Sequence, residues 1–217
     1  MSEKKSVLLR WAELRAPDTP ADIFARLPVL ETPRLILRPM KMSDAKDIYA
    51  YSKDPDVARH VLWEAHRSIA DAKLYLRYML RQYRAGLPCS WGIVLRETGQ
   101  LVGTIGYMWF NEEHRSTEIG YSLAKWLWNQ GYMTEALRAV IALSFDRLHV
   151  HRIEAMHDSA NPASGRVMLK CGMRHEGTLR GRLLNKGRYV DVDVYGILRD
   201  DWRRREYSSY AYQQETP

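Results

Sequence analysis

The residues best placed to do chemistry lie where Glu118-Ile119-Gly120-Tyr121-Ser122-Leu123 runs into Trp126-Leu127-Trp128-Asn129-Gln130-Gly131-Tyr132-Met133-Thr134-Glu135-Ala136. A strand ends there, a loop turns around Gly131, and a helix begins. Such a junction aims backbone N–H groups and the positive end of a helix dipole at one point, which suits a phosphate or pyrophosphate. Gly131 lets the backbone approach that anion closely. A plain connecting loop that binds nothing has the same outline, so Gly131 alone decides little. On the strand, alternation places Glu118, Gly120 and Ser122 on one face. The Glu118 carboxylate leads straight into the loop and is a candidate proton acceptor, acting directly or through a water.

Other chemistry-bearing residues point to ordinary structure. His149, His151 and His157 are close in sequence, yet no Cys or carboxylate set accompanies them at ligand spacing, so no metal is expected. In Asp191-Val192-Asp193, alternation places Asp191, Asp193 and Tyr195 on one face and Val192 and Val194 in the core. Cys171 falls near the end of an amphipathic helix where a small buried thiol packs well, and a cysteine nucleophile is not expected. With Cys89 it makes no disulfide framework, which fits a reducing compartment.

The elements that must position the loop follow from period and punctuation. Residues 1–31 contain Ala16-Pro17-Asp18-Thr19-Pro20 and Leu27-Pro28, which interrupt any long helix and read as an arm. The folded domain is expected over 32–203 and a tail over 204–217. Its first strand is Arg34–Pro39. Ser43 then caps a helix through Ser52, with Asp44 near its positive end. Ser68 and Asp71 make a capping-box start for a longer helix that stops at Gly86 and buries Leu76, Met79, Leu80 and Tyr83. Strands follow at Ser90–Leu95 and Leu101–Tyr107, joined by the turn Glu97-Thr98-Gly99-Gln100, and a third at Ser116–Leu123. Thr134–Leu148 is a helix with a stripe of Leu137, Val140, Ile141 and Leu148. Ile153–His157 is another strand. Pro162 opens and Gly172 closes the next helix, and Gly187 turns a last pair of strands.

Over most of the chain, from Glu31-Thr32-Pro33-Arg34-Leu35-Ile36-Leu37-Arg38 to Trp202, this order resembles the GNAT superfamily of N-acetyltransferases, in the branch of the ribosomal-protein N-terminal alanine acetyltransferases. The Gly131 segment is similar to the superfamily's acetyl-CoA loop, with Trp128 in its first place and Met133 in place of a small last residue. Asn161-Pro162-Ala163-Ser164 and Cys171-Gly172-Met173 look like the branch's Asn-x-x-Ser helix and its Gly-hydrophobe end. The resemblance implies an α/β GNAT fold, a mixed central sheet of about seven strands splayed at the cofactor site and flanked by helices. It carries the acetyl-CoA site onto Tyr121, Ser122, Leu123, Asn129, Gln130, Gly131, Tyr132, Met133 and Thr134. Asn161 would hold the pantetheine arm, Ser164 would lie near the thioester sulfur, and Lys170 would reach a phosphate. The plain alternative is that Asn161 merely caps the helix and Ser164 is a first-turn residue, and capping is compatible with binding. Tyr107 and Trp109 are candidates for an acceptor groove.

Acetyl transfer needs a neutral amine, a polarised thioester carbonyl and a stabilised thiolate. Glu118 would take the proton, a backbone N–H near Tyr121 would polarise the carbonyl, and Ser164 would hydrogen-bond the sulfur. An α-amine titrates at about 7.7 to 8.0 and a lysine at about 10.4, so deprotonating lysine costs about 3 to 4 kcal/mol. A modest base therefore suits a protein N-terminus, which is also what the branch implies. A small-amine acceptor or a non-catalytic basic binding module are the alternatives.

Bulk properties agree. A chain of 217 residues buries a sufficient core as one domain. Its 33 Lys and Arg against 26 Asp and Glu give +7, which suits an anionic partner. The charges are scattered, densest at Arg203-Arg204-Arg205, so specific nucleic-acid binding is not expected. No apolar run approaches the roughly 20 residues of a membrane helix, and the N-terminus lacks a secretory signal, so a cytoplasmic protein is expected. The branch allows a homodimer.

Overall fold

Switches between the helical and strand periods mark the element boundaries. The computed structural model describes residues 19–203. Residues 1–18 of the expected arm, the expected tail and Arg204-Arg205 lie outside them. The strands are β1 (Leu30–Glu31), β2 (Leu35–Pro39), β3 (Ser90–Leu95), β4 (Leu101–Asn111), β5 (Ser116–Leu123), β6 (Arg152–Asp158), β7 (Arg174–Asn185) and β8 (Arg188–Leu198). The helices are α1 (Pro20–Ala25), α2 (Ala45–Ser52), α3 (Pro55–Ala58), α4 (Ile69–Ala85), α5 (Tyr132–Asp146) and α6 (Pro162–Lys170). This is the mixed α/β GNAT fold, with eight described strands in the order β1-β2-β3-β4-β5-β6-β8-β7.

Within residues 20–31, α1 and Leu27 pack on the core. Thr19 caps α1 with a reciprocal bond to Asp22, and Ile23, Phe24 and Leu27 are buried. The Trp91 indole donates to the Pro28 carbonyl at 2.8 Å, and Phe24 packs against Tyr107 and Phe110. Proline at the start of this short helix is tolerated because its missing N–H has no helical partner there.

Ser43 does not cap α2. Asp44 is buried, takes both guanidinium nitrogens of Arg38 at 2.8 Å, and accepts the Lys41 amide. A 3-10 turn at Met42–Asp44 precedes the helix as a result. Helix α4 starts with the Ser68–Asp71 box and ends at Gly86 in the left-handed region, φ 62°. Leu76, Met79 and Tyr83 are buried and Leu80 is half-buried. Strand β4 runs on to Asn111 through a bulge between Tyr107 and Trp109. Helix α5 begins at Tyr132, earlier than its apolar stripe indicates, because Gly131 at φ 81° turns the chain directly into it. Lys186 and Gly187 both have positive φ, the conformation of a two-residue hairpin turn between β7 and β8. Val192 is buried as expected, whereas Val194 is only half-buried and Tyr195 packs against His157.

One feature of the topology makes a site. β5 and β6 are parallel, which requires a crossover, and α5 supplies it. Their pairing covers only Ser116–Glu118 against Arg152–Glu154. Beyond that point β5 continues along β4 and β6 along β8, so the two central strands part.

Candidate active site

The divergence of β5 from β6 leaves one backbone edge of β5 without a ladder partner. In an antiparallel ladder alternate residues exchange bonds with the neighbouring strand. The Ala124 amide donates to the Val102 carbonyl at 2.8 Å, so by register Ser122 and Gly120 also face β4. The N–H groups of Tyr121 and Leu123 therefore turn toward the split, while that of Ile119 faces β6 where Glu118 still pairs with Glu154.

The loop at its mouth is shaped from both sides. The Trp128 indole donates to the Leu123 carbonyl at 2.8 Å, folding the chain back on the end of β5. Asn129 and Gly131 both have positive φ, and no side chain caps the first turn of α5. Just before β2, Arg34 donates to Glu135 through its amide at 2.8 Å and Nε at 2.7 Å. Arg34 also reaches the Gln130 carbonyl and lies 4.0 Å over the Tyr132 ring. Thr32 Oγ1 donates to the same Glu135 carboxylate at 2.6 Å. Burial raises the Glu135 pKa, but Thr32 and Arg34 outweigh that and hold it below the usual range.

A cleft of about 540 Å³ occupies the split. Tyr121, Ser122, Leu123, Asn129, Gly131, Tyr132, Met133, Thr134, Asn161, Ser164 and Lys170 all line it. Met133 turns its side chain into the core. The Gln130 side chain does not line the cleft, since its Nε2 donates to the Trp126 carbonyl. Asn161 gives no side-chain cap to α6. Its Nδ2 instead donates to Ser164 Oγ at 3.0 Å, joining two expected site residues. Tyr121 Oη donates to the Ser164 carbonyl at 3.1 Å, and burial pushes its phenol above the ordinary value.

Glu118 stands where the split closes, in register with Glu154. Its Oε2 accepts the Trp109 indole N–H at 2.7 Å. Burial pushes its carboxyl up, the Trp109 bond opposes this, Glu154 adds to it and Arg182 lowers it. Trp109 thus sits at this end of the sheet, exposed. Tyr107 does not. It is buried, with Oη 2.7 Å from Ser144 Oγ of α5 and its ring against Trp91. A bulge between Tyr107 and Trp109 separates these two acceptor-groove candidates.

The family model for the acetyltransferase (GNAT) domain matches residues 34–174. The chain belongs to the GNAT acetyltransferase family. This GNAT acetyltransferase is 36% identical over 172 residues to the "uncharacterized N-acetyltransferase YoaA" of Bacillus subtilis (strain 168), covering 79% of this chain and 97% of that one. A GNAT-family acetyltransferase structure from Bacillus anthracis matches with a TM-score of 0.72 at 26% identity, over 80% of this chain and 99% of that one. A Vibrio cholerae protein designated a ribosomal-protein-serine acetyltransferase matches with a TM-score of 0.72 at 25% identity, over 83% and 99%.

Three parts of the site carried no signal in the sequence. The Thr32–Arg34–Glu135 clamp joins residues about a hundred positions apart. His60 lines the cleft with its Nδ1 3.0 Å from Asp158 Oδ2. Lys186 at the hairpin tip donates to the Ala58 carbonyl at 2.9 Å and the Val61 carbonyl at 2.6 Å. Among the described residues no cluster of three or more His, Cys, Asp or Glu could hold a metal, and no helix is long and apolar enough to cross a membrane.

Proposed function

We propose that this GNAT acetyltransferase moves acetyl from acetyl-CoA to a primary amine, and that its acceptor is a protein N-terminal α-amine. The observation that carries the reading is the parting of β5 from β6 with the Gly131 turn at its mouth. The residues fit acetyl-CoA: an open row of strand amides, a helix start without a side-chain cap, and a cleft of about 540 Å³ between them. When bound there, acetyl-CoA supplies the activated acetyl thioester.

The chain's own residues then divide the work. Amides from Gly131 to Thr134 bind phosphate, and Lys170 adds charge at the cleft edge. Asn161 orients the pantetheine arm. The Tyr121 amide polarises the acetyl carbonyl, and Ser164 Oγ hydrogen-bonds the departing sulfur. Glu118 takes a proton from the incoming ammonium, and burial pushes its pKa up, the direction that makes a carboxylate a stronger base. Trp109 holds that carboxylate and flanks the acceptor. An α-amine suits so modest a base. The Vibrio cholerae relative's designation favours a ribosomal-protein terminus, and a cytosolic location goes with that partner.

The test is thiol release from acetyl-CoA with two peptides of one sequence, each with an internal lysine, one with a free and one with a blocked N-terminus. Turnover with the free terminus alone is expected. Equal turnover with both would move the acceptor to lysine, and turnover only with polyamines or other small amines would overturn the N-terminal reading.

A further inference from the structure

Proton transfer inside the cleft needs a group that the residues above do not supply. Ser164 gives the departing thiolate one hydrogen bond, and Glu118 lies at the closed end of the split. Alternation from the Glu118–Glu154 pair puts Glu154, Met156 and Asp158 on the Glu118 face of the sheet. Asp158 is about 13 Å farther along β6, at about 3.3 Å per residue.

The side chains lining the cleft narrow the choice. Arg59, Arg166 and Lys170 are cations and accept no proton. Asp56 is paired with Lys125 at 2.5 Å and with Arg59. Tyr121 donates to Ser164, and Tyr132 lies under Arg34. His60 is different. Its Nδ1 meets Asp158 Oδ2 at 3.0 Å. Burial works to raise the Asp158 pKa, but the His60 bond, the Ala160 amide and the His60 and Arg188 charges hold it below the usual range. An ionised carboxylate only accepts, so Nδ1 carries the hydrogen, and Nε2 is the ring atom left to exchange a proton. No hydrogen bond to Nε2 is present among the described residues, and the atom is not sealed in the interior. The turn is also pinned, because Lys186 binds the carbonyls of Ala58 and Val61 on either side of His60. Asp158 Oδ1 accepts the Ala160 amide at 2.9 Å, next to Asn161, whose side chain holds Ser164. The imidazole is thereby tied to the part of the cleft that handles the sulfur.

We propose that His60, oriented by Asp158, is a further catalytic residue that carries a proton from the acceptor nitrogen to the departing sulfur. This rests on the acetyltransferase reading. As the nitrogen–carbon bond forms and the carbon–sulfur bond breaks, one nitrogen proton passes to Nε2 and from there to the thiolate. His60 returns to its neutral form and the products are amide and thiol. The ammonium's other proton leaves through water to Glu118 and on to solvent. Asp158 and Lys186 are positioning residues. The charged groups around the imidazole are Asp158 on β6, Asp56 and Arg59 on α3 and its turn, and Lys186 and Arg188 on the last hairpin.

The experiment compares wild type, His60→Ala, His60→Gln and Glu118→Gln in thiol release with a free-N-terminus peptide from neutral pH to above the α-amine pKa. Imidazole is added in one arm, and acetyl-CoA affinity is measured by calorimetry. Both His60 variants are expected to lose about 100-fold in kcat with acetyl-CoA affinity within about twofold. Imidazole restores turnover to His60→Ala, and the loss persists at high pH, where that of Glu118→Gln fades because the amine is already neutral. Wild-type kcat in both His60 variants, or a loss that imidazole does not relieve and that comes with weaker acetyl-CoA binding, overturns the proposal. A wild type inactive on every amine overturns the underlying reading as well, and so is distinguishable.

Discussion

Replacing Trp109 by Phe tests the electrostatics of Glu118 with little change in shape. The indole N–H donates to Glu118 Oε2 at 2.7 Å. It opposes the upward push of burial and of Glu154 on that carboxyl. Hydrogen bonds to charged groups contribute about 1.5 to 3 kcal/mol. Because both residues are partly solvated, the lower end applies, and about 1.4 kcal/mol is tenfold in a protonation equilibrium. Removing the N–H favours the protonated acid, so Glu118 becomes available as a base only at higher pH. The acid limb of kcat/KM that Glu118→Gln abolishes should therefore move up by about one pH unit in Trp109→Phe, with the plateau rate retained. Thiol release measured across the pH range reads this directly. A limb that stays in place, or moves down, would refute the link between the indole and the titrating group.

Other substitutions separate the site from the scaffold. Tyr107→Phe removes a hydroxyl that meets Ser144 in the core, while Ser144 keeps its own bond to the Val140 carbonyl; it should cost about 1 kcal/mol in chemical denaturation and leave acceptor KM unchanged. Gly131→Ala has space, since the nearest atom is Arg34 Nη2 at 3.5 Å, but must hold φ 81°; about 1 to 2 kcal/mol and weaker acetyl-CoA binding by calorimetry are expected. Glu135→Gln removes the carboxylate on which Thr32 and Arg34 converge, and should cost about 2 kcal/mol. Because the folded-state pKa of Glu135 is depressed, its contribution is present above the unfolded-state value and is lost as pH falls through the folded one. Denaturation midpoints of wild type and Glu135→Gln should then converge in acid.

What the sequence disclosed and what it hid follow from the range of the interactions. Helix α4 was legible because Ser68, Asp71 and Gly86 act within a few residues of its ends. The Gly131 turn and the Lys186-Gly187 hairpin were legible because positive φ selects residue types locally. The role of residues 20–31 was not, since the prolines suggested an arm while Phe24 and Pro28 found partners at Tyr107 and Trp91, far along the chain. With a bulge between Tyr107, which is buried, and Trp109, which reaches Glu118, strict alternation was a poor guide there. Ser43 lost its cap role to a buried Asp44 that Arg38 neutralises, a pairing set by β2 lying beside the helix start. His60, Asp158 and Lys186 come from three separate segments, so no spacing announces them.

The central claim is that the opening between β5 and β6, closed by the Gly131 turn, is where acetyl-CoA binds. Amide hydrogen exchange with and without acetyl-CoA tests it most directly. The account predicts saturable protection at the amides of Tyr121, Leu123 and residues 131–134, with the strands away from the split unchanged. Unaltered exchange at these amides under saturating acetyl-CoA, or protection confined to another face, would contradict it.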